Sequence, residues 1–219
     1  MIAFVVALKS EAEYFLKEID CLNEEKLAGK VLYTGKYHDK DIALILSGVG
    51  KVNASLATQA IIDKFSPELV FNFGTAGGAN ESVKHMTYYV IDKCCQYDFD
   101  LSELDGCSVG YMSEFDGIYF NNDTFGIDFL EYKTLTTADM FSNKIENINT
   151  VRKLGGDARD MEGSAVAQVC KLNGVKLFML KGITDTYDNP AKEFYINLTT
   201  VCKGFPEVIS KVLDKIYNA

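Results

Sequence analysis

Three carboxylates stand at the ends of strand-like runs in this chain, and their placing suggests chemistry. Asp160-Met161-Glu162-Gly163 sets Glu162 at the mouth of a predicted helix. About twenty residues on, Gly182-Ile183-Thr184-Asp185 sets Asp185 just past a predicted buried strand. Glu11 follows the first strand in the same way. Open α/β sheets keep their ligands beyond the carboxyl ends of their strands. With only two histidines in the chain, this pattern points to carboxylate-driven chemistry on a small polar molecule. Each acid also has a plainer reading. Glu162 could complement a helix dipole, Asp185 could be an N-cap or turn residue, and Glu11 could be solvated surface. Their coincidence at three strand ends that face one crevice favours a site.

Two glycine-rich turns accompany the acids. Gly74-Thr75-Ala76-Gly77-Gly78 follows a buried run, where glycines let a ligand approach the backbone. Its alternative is a tight strand-to-helix turn with no ligand. Ser47-Gly48-Val49-Gly50-Lys51 offers G-x-G, but Asn53 stands where the third glycine of a dinucleotide fingerprint belongs. No Walker pattern is completed either. A dinucleotide or nucleoside-triphosphate site is therefore disfavoured.

Composition narrows the classes further. The 219 residues are 47% hydrophobic and 24% charged, which suits a single domain over residues 1–219 with one large core. A net charge of −9 argues against a nucleic-acid partner. No apolar run approaches the roughly 20 residues that span a bilayer. Met1–Leu8 is short and lacks the basic flank of a signal peptide, so a cytoplasmic protein without a membrane partner is expected. The six cysteines include no Cys-x-x-Cys pair, and His38 and His85 are far apart; no metal site is expected. Cys170 and Cys202 read as reduced core or near-core thiols.

The elements that must position these residues follow from periodicity. Ile2–Leu8 is a continuous apolar run, as in a strand buried on both faces. Ser10 and Glu13 form a capping-box pattern for a following helix. Lys30–Tyr37 and Asp41–Ser47 read as a hairpin. Val52–Phe65 reads as a helix with Val52, Leu56, Ala60 and Ile61 on one face. Leu69–Phe73, Tyr88–Ile91, Lys133–Thr137 and Lys176–Leu180 are strands, and Gly163–Leu172 is a helix closed by Asn173-Gly174. A last helix covers Leu198–Tyr217, with a break expected near Gly204-Phe205-Pro206. Residues 100–130 carry no clear period. The sum predicts an α/β fold: a single three-layer domain with a mixed central sheet flanked by helices.

Asp160–Ala167, Gly182–Asp185, Phe73–Gly78 and Ser47–Val52, in this order and spacing, resemble the purine nucleoside phosphorylase/nucleosidase superfamily. Within it they are most similar to the 5′-methylthioadenosine/S-adenosylhomocysteine nucleosidases. The resemblance runs from the first strand to the last helix. It implies a nucleoside phosphorylase-like fold and hydrolysis of the N-glycosidic bond of 5′-modified adenosines, without a cofactor, by a homodimer. By this resemblance Asp185 is the general acid toward purine N7, Thr184 orients it, and Glu11 holds and deprotonates the attacking water. Glu162 grips the ribose hydroxyls and Met161 lines the sugar. Phe141 stacks on the base, with ordinary core packing as its plainer alternative, as for Met161. Thr75, Ala76 and Gly77 form the loop beside the ligand. Val49 and Leu8 lie near the sugar and its 5′ substituent, and Leu101 reaches across the dimer.

The chain also departs from that pattern. Lys9-Ser10-Glu11-Ala12-Glu13 carries fewer acids than usual around the catalytic Glu. The stretch after Leu101 is shortened to Ser102–Gly106, and Lys181 replaces an Arg of the last strand. The shortened Asn189–Tyr195 region supplies a lid aromatic, either Phe194 or Tyr195. The two arginines, Arg152 and Arg159, flank or precede the Asp160 motif, whereas phosphorolysis would need cations around a dianion elsewhere in the fold. Hydrolysis is therefore favoured over phosphorolysis. A catalytically silent nucleoside-binding homologue is the remaining alternative, and the presence of all three acids argues against it.

Overall fold

The computed structural model describes residues 1–142, 144–187 and 190–218. It has the three layers expected from the sequence. The strands are β1 (Ile2–Val6), β2 (Asp20–Leu27), β3 (Lys30–Tyr37), β4 (Lys40–Leu46), β5 (Leu69–Gly78), β6 (Tyr88–Gln96), β7 (Phe120–Asn121), β8 (Tyr132–Thr137), β9 (Ala158–Asp160) and β10 (Lys176–Asp185). The helices are α1 (Lys9–Leu16), α2 (Lys51–Phe65), α3 (Ser102–Asp105), α4 (Ile145–Lys153), α5 (Gly163–Asn173) and α6 (Pro190–Asn218). One face of the sheet packs on α2 and α5 through Ala54, Ala57, Ile61, Val166 and Cys170. The other packs on α1 and α6 through Phe15, Val201, Phe205 and Val212, around a cluster of Phe4, Phe71, Phe73 and Phe178.

The sheet is mixed, and β5 organises it. Along one edge β5 runs parallel to β10 from Leu69 to Gly77. The other edge is shared. Leu69–Asn72 pairs in parallel with β1, and Gly77–Gly78 pairs antiparallel with β9. From β1 an open sheet continues through β4 and β3 to β2. From β9 the pairing runs through β8 and β6 to β10 and so returns to β5, closing a small barrel-like circuit. Between Asn72 and Gly77 neither neighbour covers the shared edge, and a crevice opens there.

Several elements differ from the sequence reading. The cap of α1 is built on Leu8 and Glu11, not on Ser10 and Glu13: the Leu8 amide donates to Glu11 Oε2 at 3.0 Å, while Glu13 is exposed and pairs with Lys17. The buried face of α2 is Ala54, Ala57, Thr58, Ile61 and Ile62, whereas Val52 and Leu56 are 79% and 46% exposed. Small residues let the first turns of α2 lie close against the sheet, while Val52 and Leu56 face outward and Ile61 is buried as expected. Strands β5, β6 and β10 run past their expected ends, so Thr184 and Asp185 belong to β10 itself. Strand β2, an edge strand of mostly exposed polar residues, and the short α4 and β9 are not among the elements read from the sequence, although Ile148 and Val151 give α4 a helical spacing. No break interrupts α6, although Pro206 lies inside it. Asn189 lies outside the described residues.

Gly182 makes the packing of β10 on α6 possible. A Cβ there would stand 2.4 Å from Val201 Cγ1, 3.1 Å from Tyr88 Cε1 and 3.2 Å from Phe205 Cζ. Gly182→Ala is expected to destabilise the protein by about 1–3 kcal/mol, the usual cost of overpacking a core. In a domain this size that lowers Tm by about 2–4 °C per kcal/mol. A thermal melt of the variant superimposing on that of the parent would contradict this account.

Candidate active site

The crevice beside β5 is a cleft whose empty space, open solvent included, is about 530 Å³. Four segments build it. The turn after β1 and the start of α1 contribute Ala7, Leu8 and Glu11; β5 contributes Thr75, Ala76 and Gly77; β9 and the turn after it contribute Arg159 through Glu162; the end of β10 contributes Thr184 and Asp185. Val49, Phe141 and Phe194 complete the wall. Of the residues expected at a site from the sequence, only Leu101 lies elsewhere. It is 41% exposed and lines a separate depression with Phe99, Tyr111 and Gln168.

Glu11 is held by backbone and side chain together. Its Oε1 accepts from the Thr75 amide and the Thr75 hydroxyl, each at 2.7 Å, and its Oε2 accepts from the Leu8 amide. The surface reading of Glu11 fails, since it is 3% exposed. The Thr75 amide is on the stretch of β5 that has lost β1 and not yet met β9, so the carboxylate satisfies a donor the sheet leaves over. Gly74 is required beneath it, as a Cβ would stand 3.0 Å from Glu11 Oε1. Three donors leave about one of the four carboxylate lone-pair sites for a ligand.

Glu162 occupies the N-cap position of α5, yet its side chain does not cap the helix. Asp160 does that: its Oδ2 accepts the Gly163 amide at 2.8 Å. Glu162 Oε1 instead accepts the Gly50 amide at 2.8 Å. That bond gives Gly48-Val49-Gly50 a role, since both glycines have positive φ and a Cβ on Gly50 would approach Asp139 Oδ1 at 3.0 Å. Asp139 in turn accepts the Lys51 amide and donates its own amide to Asp98, which also pairs with the Lys51 ammonium at 2.6 Å. This network fixes the Ala138–Phe141 loop against the start of α2 and brings Phe141 to the rim.

Two cations offset the buried acids. Lys181 Nζ lies 3.1 Å from Asp160 Oδ2, with both side chains almost wholly buried. Burial alone would lower this ammonium's proton affinity, but the Asp160, Glu162 and Glu11 carboxylates hold it above its ordinary value. Burial, followed by the neighbouring Asp160 charge, pushes Glu162 up to about 8, against the pull of the Gly50 amide and Lys181. Arg159 donates to Asp185 Oδ2 at 3.3 Å and to the Gly78 carbonyl at 3.1 Å. Thr184 donates its hydroxyl to Asp185 Oδ1 at 2.8 Å. Burial raises Asp185 above its ordinary value, opposed by Arg159 and by the Thr184 hydroxyl. The cleft thus holds one carboxyl, Asp185, whose proton affinity burial raises, and another, Glu11, that three donors orient.

Phe194 forms part of the cleft wall, meeting Phe141 edge-on at 6.0 Å, while Tyr195 is 78% exposed. The Thr186 amide and hydroxyl both donate to Glu193, which anchors the first turn of α6 and hence Phe194. Sequence reasoning missed Ala7, Arg159 and Asp160 as lining residues. For Arg159 a signal existed: it is one of two arginines and stands three residues before Glu162. Among the described residues no cluster of His, Cys, Asp and Glu is arranged to hold a metal ion. No described helix is long and apolar enough to cross a membrane.

A profile described as the Phosphorylase superfamily matches residues 1–214. The 5′-methylthioadenosine/S-adenosylhomocysteine nucleosidase of Buchnera aphidicola is 31% identical over 230 aligned positions, covering 99% of each chain. The Helicobacter pylori nucleosidase of the same name, solved with butyl-thio-DADMe-Immucillin-A, is similar with a TM-score of 0.90 at 26% identity, covering 98% of this chain and 97% of that one. A structure described as futalosine hydrolase of Helicobacter pylori is similar with the same TM-score, identity and coverage. The layered fold, the acids gathered along β5 and these matches over the whole length agree: the chain belongs to the phosphorylase superfamily, within its 5′-methylthioadenosine/S-adenosylhomocysteine nucleosidases, which are N-ribosyl hydrolases.

Proposed function

We propose that this protein hydrolyses the N-glycosidic bond of 5′-modified adenosines, with 5′-methylthioadenosine, S-adenosylhomocysteine and 5′-deoxyadenosine as substrates. The observation that carries this reading is the pairing of Glu11 and Asp185 along one strand. Glu11 sits over Gly74 and Asp185 over Gly77. Those glycines are about 10 Å apart at the rise of a strand, a span a bound nucleoside can bridge. Asp185, raised by burial and oriented by Thr184, gives its proton to purine N7. The C1′–N9 bond breaks, its electron pair goes to the base, and adenine leaves neutral. Glu11 holds a water on its remaining lone pair and takes a proton from it as the oxygen bonds to C1′. Glu162 accepts the ribose 2′- and 3′-hydroxyls and places negative charge near the cationic sugar of the transition state. Phe141 stacks on the base, Phe194 covers it, and Met161, Val49 and Leu8 line the sugar and its 5′ group.

Adenine release from 5′-methylthioadenosine in phosphate-free buffer tests the reaction. Turnover without phosphate is expected; turnover only with phosphate would mean phosphorolysis. Asp185→Asn and Glu11→Gln should each lower kcat by about 10²–10⁴-fold, the range for losing a general acid or base. Full activity in both variants would remove these assignments.

The charge of Glu162 gives a second test. Free Glu162 is held up to about 8, and gripping two hydroxyls requires the carboxylate. Below that pH, binding must therefore expel its proton. Calorimetry of an uncleavable 5′-methylthioadenosine analogue at pH 7, in buffers of different ionisation enthalpy, should show wild type releasing close to one proton more than Glu162→Gln. Equal proton counts would mean that Glu162 does not ionise on binding.

We infer a cytoplasmic homodimer. None of the six cysteines forms a disulfide, which fits a reducing compartment. Val52, Leu56 and Leu104 present exposed apolar side chains, of the kind that marks an interface, and by the family resemblance Leu101 of one copy would reach the other's 5′ pocket. Val52→Glu should shift the sedimenting species from dimer to monomer; an unchanged dimer would exclude this face.

A further inference from the structure

Arg159 is the one cation lining the cleft among the described residues, and the proposed reaction leaves it without a task. It lines the cavity, is 7% exposed, and reaches it from β9 across Gly77. Gly77 permits this approach, since a Cβ would stand 2.7 Å from Asp185 Oδ2 and 3.1 Å from Arg159 Cζ. The guanidinium thus shares one wall with the group assigned to purine N7. Its described bonds, to Gly78 O and Asp185 Oδ2, use two of its five N–H donors.

The two common purine types differ on this edge. A 6-aminopurine offers an acceptor at N7 and a donor at the 6-position, while a 6-oxopurine offers two acceptors, N7 and O6. A protonated carboxyl alone, one donor and one acceptor, matches the first. A carboxyl joined by a permanently charged guanidinium also matches the second, because Arg donates well to O6 and N7. The same cation would neutralise electron density arriving on O6 and N7 as the base departs.

We propose that Arg159 is a specificity-determining residue that lets the site cleave 5′-modified nucleosides of 6-oxopurines as well as of 6-aminopurines. The proposal rests on the nucleosidase reading above and extends it to a second class of base. The step is redox-neutral and balanced as before. Water supplies the oxygen that bonds to C1′, Glu11 takes one of its protons, Asp185 gives a proton to N7, and hypoxanthine leaves with the C1′–N9 electron pair.

The test compares kcat/KM for 5′-methylthioinosine and 5′-methylthioadenosine in wild type, Arg159→Met and Arg159→Lys. Wild type should release hypoxanthine from the first and adenine from the second. Because Arg159 also touches Asp185, both rates will fall in the variants, and the ratio of the two is the readout. Loss of a bidentate-type contact should lower the 6-oxo to 6-amino ratio about 10- to 100-fold in Arg159→Met. Arg159→Lys, which keeps the charge without the planar fork, should give a smaller fall and also serves if the Met variant does not fold. Adenine release without hypoxanthine release by wild type would overturn the proposal and leave the nucleosidase reading standing. A ratio unchanged in both variants would show that Arg159 only braces Asp185. Release of neither base would sink the nucleosidase reading itself.

Discussion

The exchange of partners along one edge of β5 is the constraint on which the site depends. A strand beside β1 as far as Asn72 and beside β9 from Gly77 must pass through a stretch where neither neighbour supplies hydrogen bonds. A buried backbone donor left there would cost about as much as a lost hydrogen bond. Glu11 removes that cost by accepting the Thr75 amide. The same gap gives a ligand access to the ends of β1, β5, β9 and β10, and Glu11, Asp160, Glu162 and Asp185 line it. Fold and site thus share a cause: the closed circuit of strands cannot continue smoothly into the open sheet, and the seam between them is the cleft.

Charge burial is the second consequence. Glu11, Asp160, Glu162 and Asp185 are each under a tenth exposed. Four such groups without compensation would be prohibitive. The compensation is uneven. Asp160 receives Lys181, the Thr137 hydroxyl and the Gly163 amide. Glu162 receives one amide and sits beside the Asp160 charge. Asp160 is therefore the structural acid of the Asp-Met-Glu-Gly motif, and Glu162 is left under-satisfied, ready for donors that a ribose diol can supply. The Lys181–Asp160 pair keeps a charged partner at the position where the resemblance led one to expect Arg, so that departure alters the cation without removing it.

Much of the fold and of the cleft could be read from the sequence, and the shortfalls have physical causes. Buried strands such as β1 and β5 are continuous apolar runs because both faces are covered, and they could be placed at once. Edge strand β2 is mostly exposed and polar, so it carries no such signal. Helix α2 misled because its contact face is made of Ala54, Ala57 and Thr58. A scale that weights large side chains picks out Val52 and Leu56, which face outward. The continuity of α6 through Pro206 is a tertiary effect: Phe205 and Ile209 on either side are buried in the core. At the site, the motif positions come together in one cleft because each acid ends a recognisable strand or opens a helix. In the sequence Arg159 counts only as an argument against a phosphate site, because its contact with Asp185 lies 26 residues away in sequence, which no local pattern records.

The two carboxyls proposed for the chemistry are tuned by different means, and this explains why one cleft can hold both an acid and a base. Glu11 is surrounded by donors: two amides and a hydroxyl converge on it and fix its orientation. Asp185 receives one hydroxyl and one long contact from a guanidinium, while burial works against its charge. Hydrolysis of an N-ribosyl bond needs this inequality, because the base must depart with a proton while the water must lose one. Had Asp185 been given the backbone amides that Glu11 has, it would be a better buried carboxylate and a poorer acid. The left-over amide at the β5 seam therefore has a chemical effect as well as a structural one. It falls to Glu11, in the first turn of the helix after β1, and so fixes the carboxyl proposed to hold the water.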